Sequence, residues 1–213
     1  MFSWSYRALD PESARMFRLL SVHPGADLDV GAAAAQAGVT VAQARRLERL
    51  VADHLVQTRS PGRYGMHDLV RAYSAELCGD DETAALRLTE WYVHTLENAA
   101  DTHPVTQPLR AVEISTSVVP QGFSNRFDAL AWCRNEWDNL GAVMYAAVAR
   151  GWGRLVQAIP AHLRTQTIIQ RTRVASSPRC MSTSSGLRTR CVALRWRCRS
   201  YGKLASGLPK HPV

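Results

Sequence analysis

His67 lies where a short stretch that reads as a strand, leaving the Pro61-Gly62 turn and running through Tyr64 to Met66, meets a run that reads as a helix, Asp68-Leu69-Val70-Arg71-Ala72-Tyr73. An aspartate before an apolar-periodic run accepts the orphan N–H groups of a first helical turn, so Asp68 is the expected N-cap. That arrangement puts an imidazole near the positive end of a helix dipole, where a phosphate is favoured. A hinge histidine that packs or hydrogen-bonds locally has the same spacing, and both readings are open. A second set of residues suited to phosphate is Arg45, Arg46 and Arg49. They fall on the polar face of an expected helix over 41–53, opposite Ala44, Leu47, Leu50 and Val51. Guanidinium groups so placed reach guanine edges or phosphates in a major groove.

Electrostatics bear on that second set. Residues 1–79 hold nine arginines and eight acidic residues, with Glu48 and Asp53 on the arginines' own helix. A DNA-binding domain shows a basic footprint, because phosphate neutralisation supplies much of its affinity. Three solvated helix arginines explain the pattern equally. Enzymatic signatures are missing: the sequence contains no G-x-x-x-x-G-K-[ST], no G-x-S-x-G and no H-E-x-x-H. Glu136 and Asp138 flank Trp137 in an expected helix and point to different faces, which does not suit paired acid–base work. The seven histidines are scattered, and the five cysteines include no C-x-x-C pair, so neither a catalytic site nor a metal site is expected.

The formal net charge of +8 is unevenly placed. Residues 1–163 carry 15 Arg, no Lys and all 18 acidic residues, whereas 164–213 carry 11 Lys and Arg and no acid. The tail also lacks helical periodicity and is rich in Arg, Ser and Cys, so it is expected to be disordered. It reads either as a nucleic-acid arm or as a frameshifted product of a GC-rich gene, the reading favoured by its abrupt change of composition. No signal-peptide core follows Met1, and no apolar run approaches the about 20 residues of a membrane span. A reducing, cytoplasmic location and no membrane partner are the expectations.

Several elements are needed to hold these residues. Asp10-Pro11-Glu12 starts a helix that runs to His23-Pro24-Gly25, and the aromatics Phe2, Trp4 and Tyr6 before it look made for packing. Asp29 caps a second helix closed by Gly38, and Thr40 opens the third. A strand at 54–58 and its return at 64–66 form a hairpin, followed by the helix after His67 with an apolar stripe of Leu69, Ala72, Tyr73 and Leu77. The order is that of a winged helix over residues 1–79. A connecting helix at 82–100 and a Pro-containing linker, with a short strand at 114–119, fill 80–126. A helical hairpin over 127–163 follows, built from one long helix at 128–150, Gly151 and a second helix at 152–162. The expected class is mainly α, a winged helix with a small β-hairpin followed by helical hairpins, ending in the basic tail 164–213.

Several ordered motifs resemble one family. Ser5-Tyr6-Arg7-Ala8-Leu9 is similar to the segment that opens the winged-helix part of NB-ARC proteins, the signal-transduction ATPases with numerous domains. Met66-His67-Asp68 matches their Met-His-Asp motif. Arg63 to Leu77 resembles the actinobacterial form, and Phe127 through Val143 resembles the helix leading into the tetratricopeptide-type region of the antibiotic regulatory proteins of that group. The resemblance covers roughly residues 2–163 and implies a nucleotide-switched regulator of transcription or signalling. By it, His67 would contact the β-phosphate of ADP, with Asp68 capping the helix and Met66 packing beneath, and exchange for ATP would release the contact. The implied partners are the nucleotide-binding domain of a longer parent, in cis or as a separate chain, and proteins held by the helical repeats. The P-loop and the Mg²⁺-binding residues do not occur in this sequence, so the chain alone is expected to bind no ADP and to be no enzyme. It reads as a fragment of such a regulator. The alternative is a stand-alone winged-helix regulator that binds DNA through Arg45, Arg46 and Arg49.

Overall fold

Local capping chemistry opens the first long helix. The carboxylate of Asp10 accepts the N–H groups of Glu12 and Ser13 at 3.1 and 3.0 Å, and Pro11 occupies the first helical position of α2 (Pro11–Leu20), after α1 (Phe2–Arg7). The computed structural model describes residues 2–102, 118–157 and 159, all within one unit, Met1–Val174. The tail expected to be disordered, 164–213, lies outside the described residues, as does most of the strand expected at 114–119. Of the early aromatics with a described side chain, Tyr6 packs against Phe17 and Tyr73, with ring centroids 5.5 and 6.0 Å apart, whereas Trp4 is 78% exposed.

Strand β1 (Asp27–Asp29) precedes α3 (Val30–Ala37), whose N-cap is Asp29 and whose C-cap, Gly38, adopts the left-handed conformation at φ 65°. The third helix is broken into two short pieces, α4 (Val41–Ala44) and α5 (Arg46–Ala52), with the break at Arg45. Thr40 and Gln43 form a capping box at the start of α4. His54 ends the run in place of a glycine at φ 58°, while the N–H groups of Leu55 and Val56 both reach the carbonyl of Leu50. The expected strand therefore starts late, as β2 (Gln57–Ser60), and returns as β3 (Arg63–Gly65).

The sheet has three strands in the order β1-β3-β2, both pairs antiparallel, rather than the expected two. Asp27 faces Gly65 and Asp29 faces Arg63 across the added pair. Three residues are too few to display the period of two that reveals a strand, so β1 left no signal in the sequence.

Helix α6 (Asp68–Cys78) packs on α2, where Ser74 Oγ donates to the Phe17 carbonyl at 2.8 Å. Its buried residues are Val70 and Ser74; of the expected apolar stripe, Leu69 and Leu77 are 65% and 36% exposed. Helix α7 (Glu82–Asp101) is capped by Asp81 and buries Leu88, Trp91, Tyr92 and Leu96. The long helix predicted at 128–150 is instead two: α8 (Arg126–Asn135), capped by Asn125, and α9 (Trp137–Ala149), with Glu136 between them. A short α10 (Gly153–Val156) follows Gly151. One hydrophobic cluster runs from Met16 to Ile159, so α7, α8 and α9 share a core with α2, α3 and the sheet.

Candidate functional site

The strand–helix junction has the position expected and a different cap. His67 has extended backbone, φ −66° and ψ 146°, and its own Nδ1 accepts the N–H of Leu69 at a long 3.4 Å. The first backbone bond of α6 runs from Arg71 N–H to the carbonyl of His67 at 2.9 Å. Asp68 is therefore the first residue of the helix and not its cap; a cap must lie outside helical geometry, and His67 already holds that position. Asp68 still places its charge in the first turn, where it complements the dipole. Met66 is buried, 3% exposed, whereas His67 and Asp68 are exposed. Because Nδ1 is an acceptor, the proton of the neutral ring sits on Nε2. His67 thus presents a donor on an exposed residue beside the exposed Leu69.

The three candidate DNA-reading arginines share one stretch, and each is matched to a carboxylate. Arg45 pairs with Glu48 at 3.5 Å, Arg49 with Asp53 at 2.9 Å, and Arg46 with Glu12 of α2. Arg46 and Arg49 stand on the short α5 and Arg45 at the break before it, rather than on one continuous recognition helix.

Behind His67 lies a buried polar network that sequence reasoning missed. Arg63, its side chain only 12% exposed, is clamped between Asp27 of β1 and Glu136 at the α8–α9 break. Glu136 is 1% exposed, so it is an interior group. Its Oε2 accepts from Tyr92 Oη at 2.8 Å and from Asn139 Nδ2 at 2.7 Å. Asn139 Nδ2 also reaches the carbonyl of Asp27 at 3.0 Å. His23 completes the chain: its Nδ1 accepts the N–H of Gly25 at 3.0 Å, so its Nε2–H donates to Tyr92 Oη at 3.1 Å. Each proton in this chain has one direction, from His23 to Tyr92 to Glu136, with Arg63 opposite.

The electrostatics agree with the geometry. Burial first, and then the nearby Arg71 and Arg63 charges, lower the His23 pKa to about 3, which keeps its ring neutral. Burial likewise holds the Tyr92 phenol protonated, well above its ordinary range. Burial also raises the carboxyl of Asp29, against the N–H bond from Ala32.

These residues do not form a nucleotide site by themselves. Around His67 the first-turn N–H of Leu69 is already engaged by the imidazole, leaving one ring donor for a phosphate. A groove of about 820 Å³ between the α3–α4 turn and α7 is walled by Val30, Ala34, Val39, Val41 and Trp91. Arg87, the one cation among its described lining residues, donates to the Gln36 carbonyl at 2.9 Å. Among the described residues no group of three His, Cys, Asp or Glu is placed to hold a metal ion. Nor is any described helix long and apolar enough to cross a membrane.

Comparison with known proteins adds a relationship. The chain is similar to part of a regulatory protein. It is 34% identical over 161 residues to the regulatory protein AfsR of Streptomyces griseus, covering 70% of this chain and 16% of the relative. It is 36% identical over 119 residues to AfsR of Streptomyces coelicolor, covering 50% of this chain and 12% of that relative. The chain thus spans about a sixth or less of the length of these curated relatives. No family model matches it, and no solved structure matches it.

Proposed function

We propose that the chain is the winged-helix and helical-hairpin section of a nucleotide-switched regulator. In this reading His67 donates Nε2–H to the phosphate of ADP held by a separate nucleotide-binding domain, and the exposed Leu69 packs against the same domain. Helices α8 and α9 begin a helical array that passes the state of the switch to protein partners. The observation that carries the proposal is the cap of α6: the long contact of Nδ1 with the Leu69 N–H favours the tautomer that leaves a donor on an exposed residue. Similarity to the Streptomyces regulatory proteins supports a regulatory role. The chain alone is proposed to be no ATPase, since one imidazole does not hold a nucleotide.

A second reading, direct DNA binding by the helix-turn-helix, has one observation in its favour: the Arg45 and Arg49 side chains are 70% and 65% exposed. Titration separates the two. The full chain should bind an ADP-loaded NB-ARC nucleotide-binding domain, and His67→Ala should weaken that binding about tenfold, the equivalent of roughly 1.4 kcal/mol for one hydrogen bond to a charged group. Salt-dependent binding to duplex DNA by residues 1–79, lost on Arg45→Ala and Arg49→Ala, would favour the second reading instead.

A further inference from the structure

His67 has an arginine four residues before it and another four residues after it, and both end on one turn. Arg63, in the strand that leads to His67, pairs with Asp27 and Glu136. Arg71, one turn into the helix that follows, donates to the carbonyls of His23 at 2.7 Å and Gly25 at 2.8 Å. The turn over residues 23–27 is therefore held from both sides of the junction. The same turn meets the α8–α9 break, through Asn139 on the Asp27 carbonyl and through His23, Tyr92 and Glu136 in series.

The approach is close at Gly25. A Cβ built on Gly25 would lie 2.0 Å from Asn139 Oδ1 and 2.8 Å from His23 Cε1, so only glycine lets the turn approach α9 this closely. Buried polar networks in which each member has a partner resist partial displacement, because an orphaned member is costly in a low-dielectric interior. A shift at His67 is then not absorbed locally. Arg63 and Arg71 carry it to the turn, and Glu136 with Asn139 carries it to α8 and α9.

We infer that the Arg63–Glu136–Tyr92–His23 network, with Arg71 and Asn139, is a mechanical joint that couples the seating of the His67 junction to the position of α8 and α9 at their break. Glu136 and Tyr92 are positioning residues in this joint. Coupling of this kind acts in both directions, so loosening the α8–α9 end must be felt at His67. The use of the joint as a switch rests on the function proposed above, but the joint itself requires neither a nucleotide nor a second domain.

Hydrogen exchange on the full 213-residue chain tests it. Glu136→Gln should raise exchange several-fold in residues 126–149 and also in 63–71, with α2 and α3 unchanged. Val143→Ala, which loosens the apolar packing of α9 and touches none of the polar groups, should raise exchange in 126–149 alone. Tyr92→Phe keeps the ring and removes only the hydroxyl; it should give the Glu136→Gln pattern at smaller amplitude, and it serves if Glu136→Gln does not fold. Unchanged exchange at 63–71 in Tyr92→Phe and Glu136→Gln, or an equal response there to Val143→Ala, would overturn the joint. Because no nucleotide is present, that failure is distinct from a failure of His67 to meet a phosphate.

Discussion

A histidine held neutral in the interior titrates on unfolding, and His23 is the clearest case here. Its folded pKa is lowered to about 3 against 6.5 in the open chain. The unfolded state therefore binds the proton first, so the stabilisation from neutral His23 is complete above pH 6.5 and is lost as the pH falls from 6.5 towards 3. The slope is about 1.4 kcal/mol per pH unit in that window. Urea titrations of the chain and of His23→Gln between pH 7 and 4.5 should show the variant less stable at pH 7 and less sensitive to acid. Parallel pH profiles would mean that the ring is not held neutral. Arg63 and Glu136 form a buried pair at the same scale. Removing Arg63 should cost about 3–5 kcal/mol, because the buried Glu136 then has no cation beside it, whereas removing Glu136 should cost less, because Arg63 keeps Asp27. Arg63→Met with Glu136→Gln together should cost clearly less than the sum of the singles, as a double-mutant cycle in urea would measure.

Elements divide sharply into those written locally and those that were not. Asp10 before Pro11, Asp29 before Val30, and Gly38 after Ala37 announced their helix ends because capping is settled within a few residues. Asn125→Ala should accordingly cost about 1 kcal/mol, read as a lower urea midpoint, by freeing the N–H groups of Phe127 and Asp128. The breaks at Arg45 and Glu136 were not legible, since helical spacing continues through both. At Glu136 the cause is long-range: its partners Tyr92 and Arg63 are 44 and 73 residues away in sequence, and Asn139 meets Asp27 across 112. The apolar stripe on α6 misled for a related reason. Periodicity shows that a face is apolar but not whether this chain covers it, and Leu69 is left exposed. What the sequence did show of the site was the position of His67. What it could not show was that His67, and not Asp68, is the cap. Gly25→Ala should drive the turn off α9 and break the Asn139 contacts, lowering stability by about 1–3 kcal/mol. An unchanged urea midpoint would mean that the turn does not bear on α9.

Across the whole molecule the charge is divided between an acidic-leaning body and a basic tail. The tail's 11 positive charges would bind phosphate polymers by releasing counterions, whereas the first 163 residues carry a slight negative excess. The full chain should elute from heparin at higher salt than a chain ending at residue 163. Equal elution would remove the tail from any account of binding. The body's own contribution is mechanical: the hydrophobic cluster is continuous from α2 to residue 159, and the polar network crosses it where the sheet meets the α8–α9 break. Under the proposed function this arrangement is a section between a part that changes state and a part that reads it, and the regulatory proteins to which the chain is similar are several times longer.

The claim at the centre is that His67 offers Nε2–H to a phosphate while its Nδ1 holds the start of α6. A long-range proton–nitrogen NMR spectrum of the full chain, selectively labelled at histidine, reads this directly. The account predicts the Nε2–H tautomer for His67 in the free chain, and a shift of its Nε2 resonance on adding an NB-ARC domain loaded with ADP but not with ATP. The Nδ1–H tautomer in the free chain, or a spectrum that the ADP-loaded domain leaves unchanged, would contradict it.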